Sequence, residues 1–510
     1  MGILMSGERV TTTDALLERA SRVASGLAAL GIGAGDAVAL FLRNDFAFVE
    51  ASLGAARRGA YCVAVNWHAS PAEARHVFED SAARVIVIHA DLLPRMRDAL
   101  PAGVPVRVVR TPPEVLDAYG IALSGGAVPA GETDWDGWVD AQPPHEMPPV
   151  PAPDVMLYTS GTTGRPKGVR RRAPTPEQVA LTQRIRARGF GFPDDGRFTT
   201  VIPGPMYHSA PNGYAMLAAR LGADMILQPR FDAEGLLRLI ERHRVTHLQM
   251  VPVMFNRLLD LPEAVRTRYD LSSLRFVVHS AAPVSPGTKR RMIEWWGPIV
   301  HEYYGTTETS MIAVCDTAEW LEHPGTVGRP LPEVDLAILG DDCRPLPAGQ
   351  VGRIAAWTRG AADFTYQNDD EKRRRAFVDG RFVTGDVGRL DADGFLHILD
   401  RSHDMVISGG VNIYPAEIEA ELCAMPGVAD CAVFGIPDAE FGESLCAVVQ
   451  PAPGAAIDAD AVRTWLRGRL AGYKVPRRVE FARDLPREDS GKIFKRRLRE
   501  PYWADAGRRI

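Results

Sequence analysis

The sequence predicts an α/β fold: a large N-terminal domain of doubly wound sheets with a small β-barrel-like subdomain, followed by a small α+β C-terminal domain. Helical and strand patterns alternate along roughly the first 350 residues, an order typical of parallel sheets covered by helices. Residues 327–400 change to short strands and turns, and a mixed pattern returns after Arg401. We therefore place the N-terminal domain at 1–400 and the C-terminal domain at 401–510.

The first elements follow from the spacing of apolar residues. A helical spacing over residues 15–30 predicts an amphipathic helix. Similar patterns predict a second helix and three strands, at 73–81, 37–42, 61–65 and 84–88. The intervening GIGAGD at 31–36 follows a helix and precedes a strand, so we interpret it as a helix end and turn and not as a dinucleotide-binding loop. Residues 112–153, rich in Pro, Gly and Ala, are expected to form a loose surface connection.

The composition excludes several classes of function. The net charge of −5, from 59 basic and 64 acidic residues, does not suit a protein that coats nucleic acid or an anionic membrane. We find no apolar run that could span a bilayer and no secretory signal. The six cysteines show no C-x-x-C pair and no metal-ligand spacing, so we expect a reduced, cytoplasmic protein. The oligomeric state, monomer or homodimer, stays open.

Residues 158–169, YTSGTTGRPKGV, carry the most informative motif. Glycines let backbone N–H groups approach phosphate oxygens, hydroxyls donate hydrogen bonds, and the lysine adds positive charge. The segment is not a Walker A loop, because Pro166 stands at the second glycine and Gly168 follows the lysine. The residues expected to bind polyphosphate are Thr159, Ser160, Gly161, Thr162, Thr163, Gly164 and Lys167.

This loop resembles the signature loop of the adenylate-forming (AMP-binding) superfamily, which includes acyl-CoA synthetases, firefly luciferase and nonribosomal adenylation domains. The resemblance extends over further motifs in the family's order, from residue 158 to residue 492. It implies ATP, Mg²⁺ and coenzyme A as ligands and favours the acyl-CoA synthetase branch. It also implies that the chain begins late, without the usual first strands of the family.

Two motifs resemble the family's nucleotide pocket. EYYGTTE at 302–308 implies that Tyr304 stacks on adenine, that Thr307 donates to the α-phosphate as a catalytic residue, and that Glu308 holds Mg²⁺. One carboxylate suffices, because Mg²⁺ also takes phosphate oxygens. HSAAPVSP at 279–286 resembles a loop in which the family usually has two glycines. The other nucleotide contacts implied by the two motifs are Ala281, Ala282, Pro283, Glu302, Tyr303, Gly305 and Thr306.

A third motif, VTGDVG at 383–388, resembles the family's ribose-binding segment. Asp386 would accept both ribose hydroxyls, because a carboxylate can accept two O–H bonds at once. Arg401 would be the second ribose contact.

Residues 400–419 and 485–499 resemble two segments of the family's mobile C-terminal domain. Lys492 would be the catalytic lysine that bridges the substrate carboxylate and the α-phosphate. His403 stands at the hinge, where the family usually has Asp or Lys. A histidine there either makes the hinge contacts sensitive to pH or is a tolerated polar substitution.

Coenzyme A would meet the C-terminal domain through a glycine-containing strand and the segment LAGYKVPRRVEF. For Phe441 and Tyr473, packing in a core is an equal alternative. The residues implied on this side are Gly409, Gly410, Phe441, Tyr473, Lys474 and Arg477.

The acyl pocket is implied by PGPMYHSA at 203–210, which resembles the segment whose histidine gates the pocket. The residues proposed to line it are His208, also a catalytic candidate, Ser209 and Gly305. No carboxylate stands near His208, which argues against amino acids, because a buried ammonium without a partner is costly. The expected substrates are fatty, aromatic, alicyclic or terpenoid/steroid acids.

These residues predict ATP-dependent conversion of a carboxylic acid to acyl-AMP, followed by transfer of the acyl group to coenzyme A. One alternative is transfer to a carrier protein or partner enzyme, which the same motifs would serve. A luciferase-like oxygenase and a non-enzymatic binding protein are further alternatives. The last predicts loss of the catalytic groups, yet Lys492 and Glu308 are both present.

Overall fold

The fold is that of a computed structural model, which describes residues 2–146, 148, 150–159, 166–402, 404–409, 411–438, 440–487 and 493–504. The elements up to residue 171 are β1 (Ile3–Ser6), β2 (Arg9–Thr12), α1 (Thr13–Ala29), β3 (Ala37–Phe41), α2 (Phe46–Arg57), β4 (Tyr61–Ala64), α3 (Pro71–Asp80), β5 (Ala83–His89), α4 (Leu93–Met96), β6 (Val106–Val109), α5 (Pro113–Ala118), α6 (Trp135–Asp140), β7 (Met156–Thr159) and β8 (Lys167–Arg171). The helices and strands predicted from spacing up to residue 89 are all present, displaced by one or two residues at their ends.

The next region continues the alternation of helix and strand. Its elements are α7 (Pro176–Phe190), β9 (Thr199–Ile202), α8 (Ser209–Leu221), β10 (Asp224–Leu227), α9 (Ala233–His243), β11 (His247–Met250), α10 (Pro252–Leu259), α11 (Glu263–Arg266), β12 (Phe276–His279), α12 (Pro286–Trp296), β13 (Val300–Thr306), β14 (Ser310–Cys315), α13 (Thr317–Glu322) and β15 (Arg329–Pro330).

The remaining elements are mostly strands, as expected for residues 327–400, and then mixed. They are β16 (Val334–Leu339), β17 (Gly352–Thr358), β18 (Phe364–Tyr366), α14 (Asp370–Arg375), β19 (Phe377–Val378), β20 (Arg381–Leu390), β21 (Leu396–Arg401), β22 (Val406–Ser408), β23 (Val411–Ile413), α15 (Pro415–Cys423), β24 (Val428–Asp438), β25 (Gly442–Pro451), α16 (Ala459–Arg467), β26 (Arg478–Phe481) and α17 (Lys495–Trp503). Short 3₁₀ turns occupy Arg97–Ala99, Leu123–Gly126 and Gly472–Lys474.

Two large sheets build the first part of the chain. Within the described residues, one has nine strands in the order β15-β14-β13-β12-β11-β9-β10-β1-β2, and the other has seven in the order β18-β8-β7-β4-β3-β5-β6. The pairs at the centre of each sheet are parallel, and one apolar core extends over both sheets and the helices between them. The predicted α/β class with doubly wound sheets is confirmed.

Two smaller sheets follow. β16-β17-β20-β19, with β21 on β20, forms the β-rich subdomain, and β23-β22-β25-β24, with β26 on β25, forms the sheet of the C-terminal region. The latter has its own apolar clusters, centred on residues such as Ile418, Val433 and Ala447. No helix in the described part of the chain has the length and apolar character needed to cross a membrane.

The structure corrects two expectations. The expectation that the first strands are absent was wrong. β1 and β2 form a hairpin, and β1 pairs in parallel with β10 at the edge of the nine-stranded sheet. Residues 112–153 are not merely a loose connection. They contain α5 and α6, and Trp135 of α6 is buried and donates its indole N–H to Glu50 at 3.0 Å. Short polar strands and two-turn helices lack the repeated apolar spacing that reveals longer elements.

Candidate active site

The candidate site lies beside the nine-stranded sheet, where the ends of parallel strands meet. β9, β11, β12 and β13 run in parallel, and the loops that follow parallel strands gather at one edge of a sheet. One cavity is lined by Ser209 and Ala210 after β9, by Ser280 and Ala281 after β12, and by Gly305 in β13. The structure thus brings together three segments that the motifs assigned to one site.

The two ends of the predicted phosphate loop lie side by side. β7 and β8 pair antiparallel, with Thr159 opposite Lys167. Lys167 forms an ion pair with Asp369. Ser160, Gly161, Thr162, Thr163 and Gly164 lie outside the described residues, so their predicted contacts stay predictions.

Glu308 is held from the neighbouring sheet. The hydroxyl of Tyr366 donates to Oε1 of Glu308 at 2.9 Å, and Nη2 of Arg171 donates to the carbonyl oxygens of Thr307 and Glu308 at 3.0 and 2.8 Å. Burial and the Glu308 charge raise the pKa of Tyr366. Tyr366 orients the half-buried Glu308 carboxylate and Arg171 holds the backbone of the turn, an arrangement that fits the single carboxylate that Mg²⁺ takes in addition to phosphate oxygens.

The two predicted ribose contacts are neighbours across a β-ladder. Asp386 of β20 stands opposite Arg401 of β21, and Nε of Arg401 lies 2.8 Å from Oδ1 of Asp386. The hydroxyl of Tyr304 donates to Oδ2 of Asp386 at 2.5 Å. Burial, together with the Asp386 charge, raises the pKa of Tyr304 well above its usual range. These three side chains form one polar cluster, in which Tyr304 and Asp386 are buried and the Arg401 side chain is 42% exposed.

The side chain of Glu302 forms an ion pair on the far face of β13, and its predicted nucleotide contact stays a prediction. Side chains alternate along β13, so Tyr303 and Gly305 line the cavity whereas Glu302 points to the opposite face. There its carboxylate lies 2.6 Å from Nζ of the fully buried Lys289. The side chain of Glu302 is therefore occupied by an ion pair, and only its backbone remains available to a nucleotide.

Ala281 has a left-handed backbone, with φ of +75°. This conformation favours glycine, because a Cβ atom crowds the following carbonyl. The position is one at which the resembling family usually has glycine. Ala282 and Pro283 follow it in the same loop at the cavity edge, and neither has a positive φ.

The acyl side of the cavity is formed mainly by α8 and α7. His208 is the N-cap residue of α8, and its ring centroid lies 4.3 Å from that of Tyr207. A Cβ atom added at Gly213 would meet nothing within 4 Å, so α8 leaves open space beside the cavity. Apolar walls come from Phe190, Met216, Leu217 and Met311.

The motifs missed a charged part of this wall. Asp154, Arg186 and Arg220 line the same cavity. Nη1 and Nη2 of Arg186 donate to the Asp154 carboxylate, at 3.0 and 2.8 Å. No spacing rule reveals these residues, because they are far apart in the sequence and meet only when β7, α7 and α8 pack together.

Two of the predicted coenzyme A residues, Gly409 and Arg477, contact a third, Phe441, beside the C-terminal sheet. The backbone N–H of Gly409 donates to the carbonyl oxygen of Phe441 at 2.9 Å, and the guanidinium of Arg477 lies 4.5 Å from the Phe441 ring centroid. Tyr473 is 56% exposed, and Nζ of Lys474 donates to Glu417 at 2.6 Å. The exposure of Tyr473 rules out core packing for that residue. Gly410, His403 and Lys492 lie outside the described residues.

Comparison with known families accords with this geometry. A model described as AMP-binding enzyme matches residues 3–363, and one described as AMP-binding enzyme C-terminal domain matches residues 417–492. The chain therefore belongs to the AMP-binding enzyme family, and the resemblance inferred from its motifs is confirmed.

Individual relatives match along nearly the whole chain. Feruloyl-CoA synthase from an Amycolatopsis species is 36% identical over 499 residues, covering 97% of this chain and 95% of that protein. The fatty acid–[acyl-carrier-protein] ligase ScoC from Streptomyces coeruleorubidus is 31% identical, covering 98% and 93%. Among solved structures, ATP-bound MatB from Rhodopseudomonas palustris is 30% identical with a TM-score of 0.83, covering 99% and 97%.

Proposed function

We propose that this enzyme activates a carboxylic acid with ATP as an acyl-AMP, releases pyrophosphate, and transfers the acyl group to coenzyme A. One observation carries the proposal: the cavity that would hold the acid is lined by Gly305 and Thr307, directly before the oriented carboxylate of Glu308. An acid, an α-phosphate and a metal-bound leaving group would therefore lie in sequence along one short turn.

The first step joins the acid to the α-phosphorus. A carboxylate oxygen attacks, the bond from the α-phosphorus to the bridging oxygen breaks, and pyrophosphate leaves. Thr307 would donate to the α-phosphate, and Lys492 would bring positive charge to the same oxygens. Mg²⁺, held by Glu308, would neutralise charge on the departing phosphates. Asp386 and Arg401 would hold the ribose, so the nucleotide is positioned by the β-rich subdomain.

In the second step the sulfur of coenzyme A attacks the acyl carbonyl carbon, and the bond to AMP breaks. Phe441 and Arg477 support a binding surface for this thiol donor, because an aromatic ring beside an exposed guanidinium can contact both the pantetheine arm and a phosphate. Gly409, whose N–H is held by the Phe441 carbonyl, would guide the arm toward the acyl-AMP.

The cavity supports acids without an ammonium group. The wall contains one carboxylate, Asp154, but Arg186 and Arg171 already surround it, at 2.8 and 3.5 Å. The Asp154 carboxylate therefore has little capacity left to pair with a cationic group of a substrate. Phe190, Met216 and Met311 suit an apolar body, so fatty, aromatic, alicyclic and terpenoid/steroid skeletons remain the proposed class. The similarity to feruloyl-CoA synthase supports the aromatic members.

A carrier protein is the second candidate acceptor. The similarity to the carrier-protein ligase ScoC supports it, since that relative also matches along nearly the whole chain. All six thiols of the chain are free, which supports our proposal of a reducing, cytoplasmic compartment for either acceptor.

The test is mass spectrometry of reactions containing ATP, Mg²⁺, a panel of acids, and either coenzyme A or a phosphopantetheinylated carrier protein. Acyl-CoA together with AMP is the expected result. Acyl-AMP with no free thioester but with an acylated carrier would favour the second candidate. The absence of AMP formation with every acid would contradict both.

A further inference from the structure

The wall of the acyl cavity carries more positive than negative charge. Among its described lining residues the charged ones are Arg171, Arg186, Arg220 and Asp154. A second cavity is lined by the same four residues and by Arg172, so these charges border both cavities. An apolar acid alone would leave this part of the wall without a matching partner.

Two of the three arginines are already engaged by protein groups. Arg171 donates to the carbonyl oxygens of Thr307 and Glu308, and Arg186 forms the paired hydrogen bonds to Asp154. Burial alone would raise the pKa of Asp154, but the neighbouring guanidiniums hold it well below its usual range. Asp154 is therefore ionised, and its single charge is shared between two arginines.

Arg220 is the remaining arginine. Among the described residues, no hydrogen bond or ion pair is found for its guanidinium, although the group borders both cavities. Burial lowers the pKa of Arg220, and the Arg186 charge adds to the lowering, while Asp154 opposes it. The guanidinium still remains charged at neutral pH, because its ordinary pKa lies far above 7. Its donors face the cavity with nothing from the described protein to receive them.

The position of Arg220 on α8 determines the distance between its guanidinium and the reacting end of the cavity. One stripe of α8 lines the cavity and carries Ser209, Gly213, Met216 and Arg220. Ser209 stands at the reacting end, next to His208, and Arg220 is about 16 Å further along the helix axis. Side chains lean toward the N-terminus of their helix, so the Arg220 guanidinium reaches back to roughly 10 Å from that end.

We propose that the preferred acids carry a second anionic group, a carboxylate or its equivalent, at the end remote from the reacting carboxylate, and that Arg220, supported by Arg186, binds it. The inference rests on the proposed function and narrows its substrate class. A guanidinium pairs with a carboxylate through two parallel hydrogen bonds, and the apolar residues between the two ends would contact the body of the acid. Arg220 is exposed at the cavity wall, so water solvates its donors when no anion is bound, and an anionic far end of the acid would replace that water with a charge-assisted pair.

The experiment compares matched acids in the full-length enzyme. Pyrophosphate release is measured with straight-chain dicarboxylic acids of about six to about fourteen carbons, and with monocarboxylic acids of the same lengths. We expect kcat/KM to favour the dicarboxylic member by about threefold at lengths that separate the carboxylates by roughly 10 Å, because Arg220 is an exposed partner. Arg220→Gln should remove most of this preference by lowering kcat/KM for the dicarboxylic acid only, and Arg220→Lys should restore part of it.

Arg184→Gln is the matched control, because Arg184 lies exposed on α7, one of the two helices that wall the cavity, and does not line it. A wild-type preference for monocarboxylic acids at every length would overturn the inference, even if Arg220→Gln fails to fold. So would an Arg220→Gln enzyme with an unchanged preference, or one whose only change is a higher KM for ATP. Activation of monocarboxylic acids in these cases would leave the proposed function standing, whereas no pyrophosphate from any acid would contradict the function itself.

Discussion

At the scale of single residues, Ala281 adopts a backbone conformation that favours glycine. The chain places an alanine where the loop takes a φ of +75°. A residue with a Cβ atom adopts this region at a cost of about 1–2 kcal/mol. The loop keeps the shape nonetheless, because β12 before it and α12 after it determine its path.

Ala281→Gly should therefore stabilise the protein by about 1 kcal/mol, seen as a Tm higher by roughly 1–2 °C. The matched control is Ala282→Gly. Ala282 has an ordinary φ, so glycine there should lower the Tm by increasing the entropy of the unfolded chain. Thermal unfolding of both variants gives the comparison, and equal shifts of the same sign would show that the strain at Ala281 is negligible.

Asp386 carries the next prediction. Asp386→Asn should raise the KM for ATP by about tenfold or more, because the amide cannot accept two ribose hydroxyls and the Arg401 hydrogen bond with equal strength. Steady-state kinetics with varied ATP measures the change. Tyr304→Phe keeps the ring and removes only the hydroxyl that holds Asp386 at 2.5 Å, so a smaller rise is expected. A larger effect in Tyr304→Phe than in Asp386→Asn would contradict this assignment.

Contiguous motifs in the sequence predicted several site residues, and their roles stay predictions. Of these residues, Gly305 and Thr307 line the cavity, and Asp386 pairs with Arg401. The sequence could not show which side chains of β13 face the cavity, because this depends on how each face of the sheet is covered in the folded protein. It also could not reveal Arg186 and Arg220, which meet Asp154 only through tertiary packing.

At the scale of the element, β13 carries a titratable side chain, His301, that packs against its neighbour β12. His301 of β13 stacks on Phe276 of β12 with centroids 4.0 Å apart. Burial lowers the pKa of His301 to about 4, with the Lys289 charge adding to the lowering and Asp316 opposing it. Because the unfolded chain binds this proton below about pH 6.5 and the folded chain does not, unfolding takes up a proton between pH 6.5 and 4.

The stability should therefore fall as the pH falls through this window, and His301→Gln should flatten the fall. The His301 contribution to the slope is less than about 1.4 kcal/mol per pH unit, the value for one whole proton. Tm measured at several pH values between 7 and 5 gives both slopes. His68→Gln, at an exposed position, controls for the loss of a histidine as such. Identical slopes in wild type and His301→Gln would show that His301 titrates normally.

Elements with long apolar spacing were predictable from the sequence, and the short ones were not. α1, β3, β4, α3 and β5 lie within one or two residues of their predicted positions. The β1–β2 hairpin was missed, because four-residue strands such as RVTT owe their structure to the sheet edge that they join. α6 was missed for the same reason, since Trp135 is buried against α1 and α2 and not by a periodic face of its own.

At the scale of the whole molecule, the two proposed half-reactions use different parts of the chain. Thr307, Glu308 and Asp386 lie in the two large sheets and the β-rich subdomain, whereas Phe441 and Arg477 lie in the C-terminal sheet region. Lys492, the predicted catalytic lysine of the first step, also belongs to the C-terminal region, so the proposal assigns that region a role in both steps. The sequence could indicate this division through its motifs, but not how the region is placed in each step.

Lys492→Ala should lower acyl-AMP formation by at least about 100-fold, because charge developing on the α-phosphate loses its partner. Transfer from a supplied acyl-AMP to coenzyme A should remain close to the wild-type rate. Quenched reactions that follow AMP and acyl-CoA separately measure the two steps. An equal loss in both would show that Lys492 acts on folding or on a shared contact.

Arg477→Gln should impair the transfer to coenzyme A and leave acyl-AMP formation unchanged. We expect the KM for coenzyme A to rise by about fivefold or more, because the phosphate partner and the contact with Phe441 are both lost. Pyrophosphate release without coenzyme A should be unchanged. Arg467→Gln is the control, since Arg467 is exposed in the same region on α16. Equal effects of the two substitutions on the KM would place coenzyme A elsewhere.

The separate apolar core of the C-terminal sheet has a consequence for how such enzymes diversify. A unit that buries its own hydrophobic side chains can be exchanged between homologous genes without repacking the rest of the protein. A hybrid formed by recombination near residue 400 would then take its choice of acid from one parent and its choice of acyl acceptor from the other. Hybrids with relatives that load carrier proteins would follow the acceptor of whichever parent supplied the C-terminal segment.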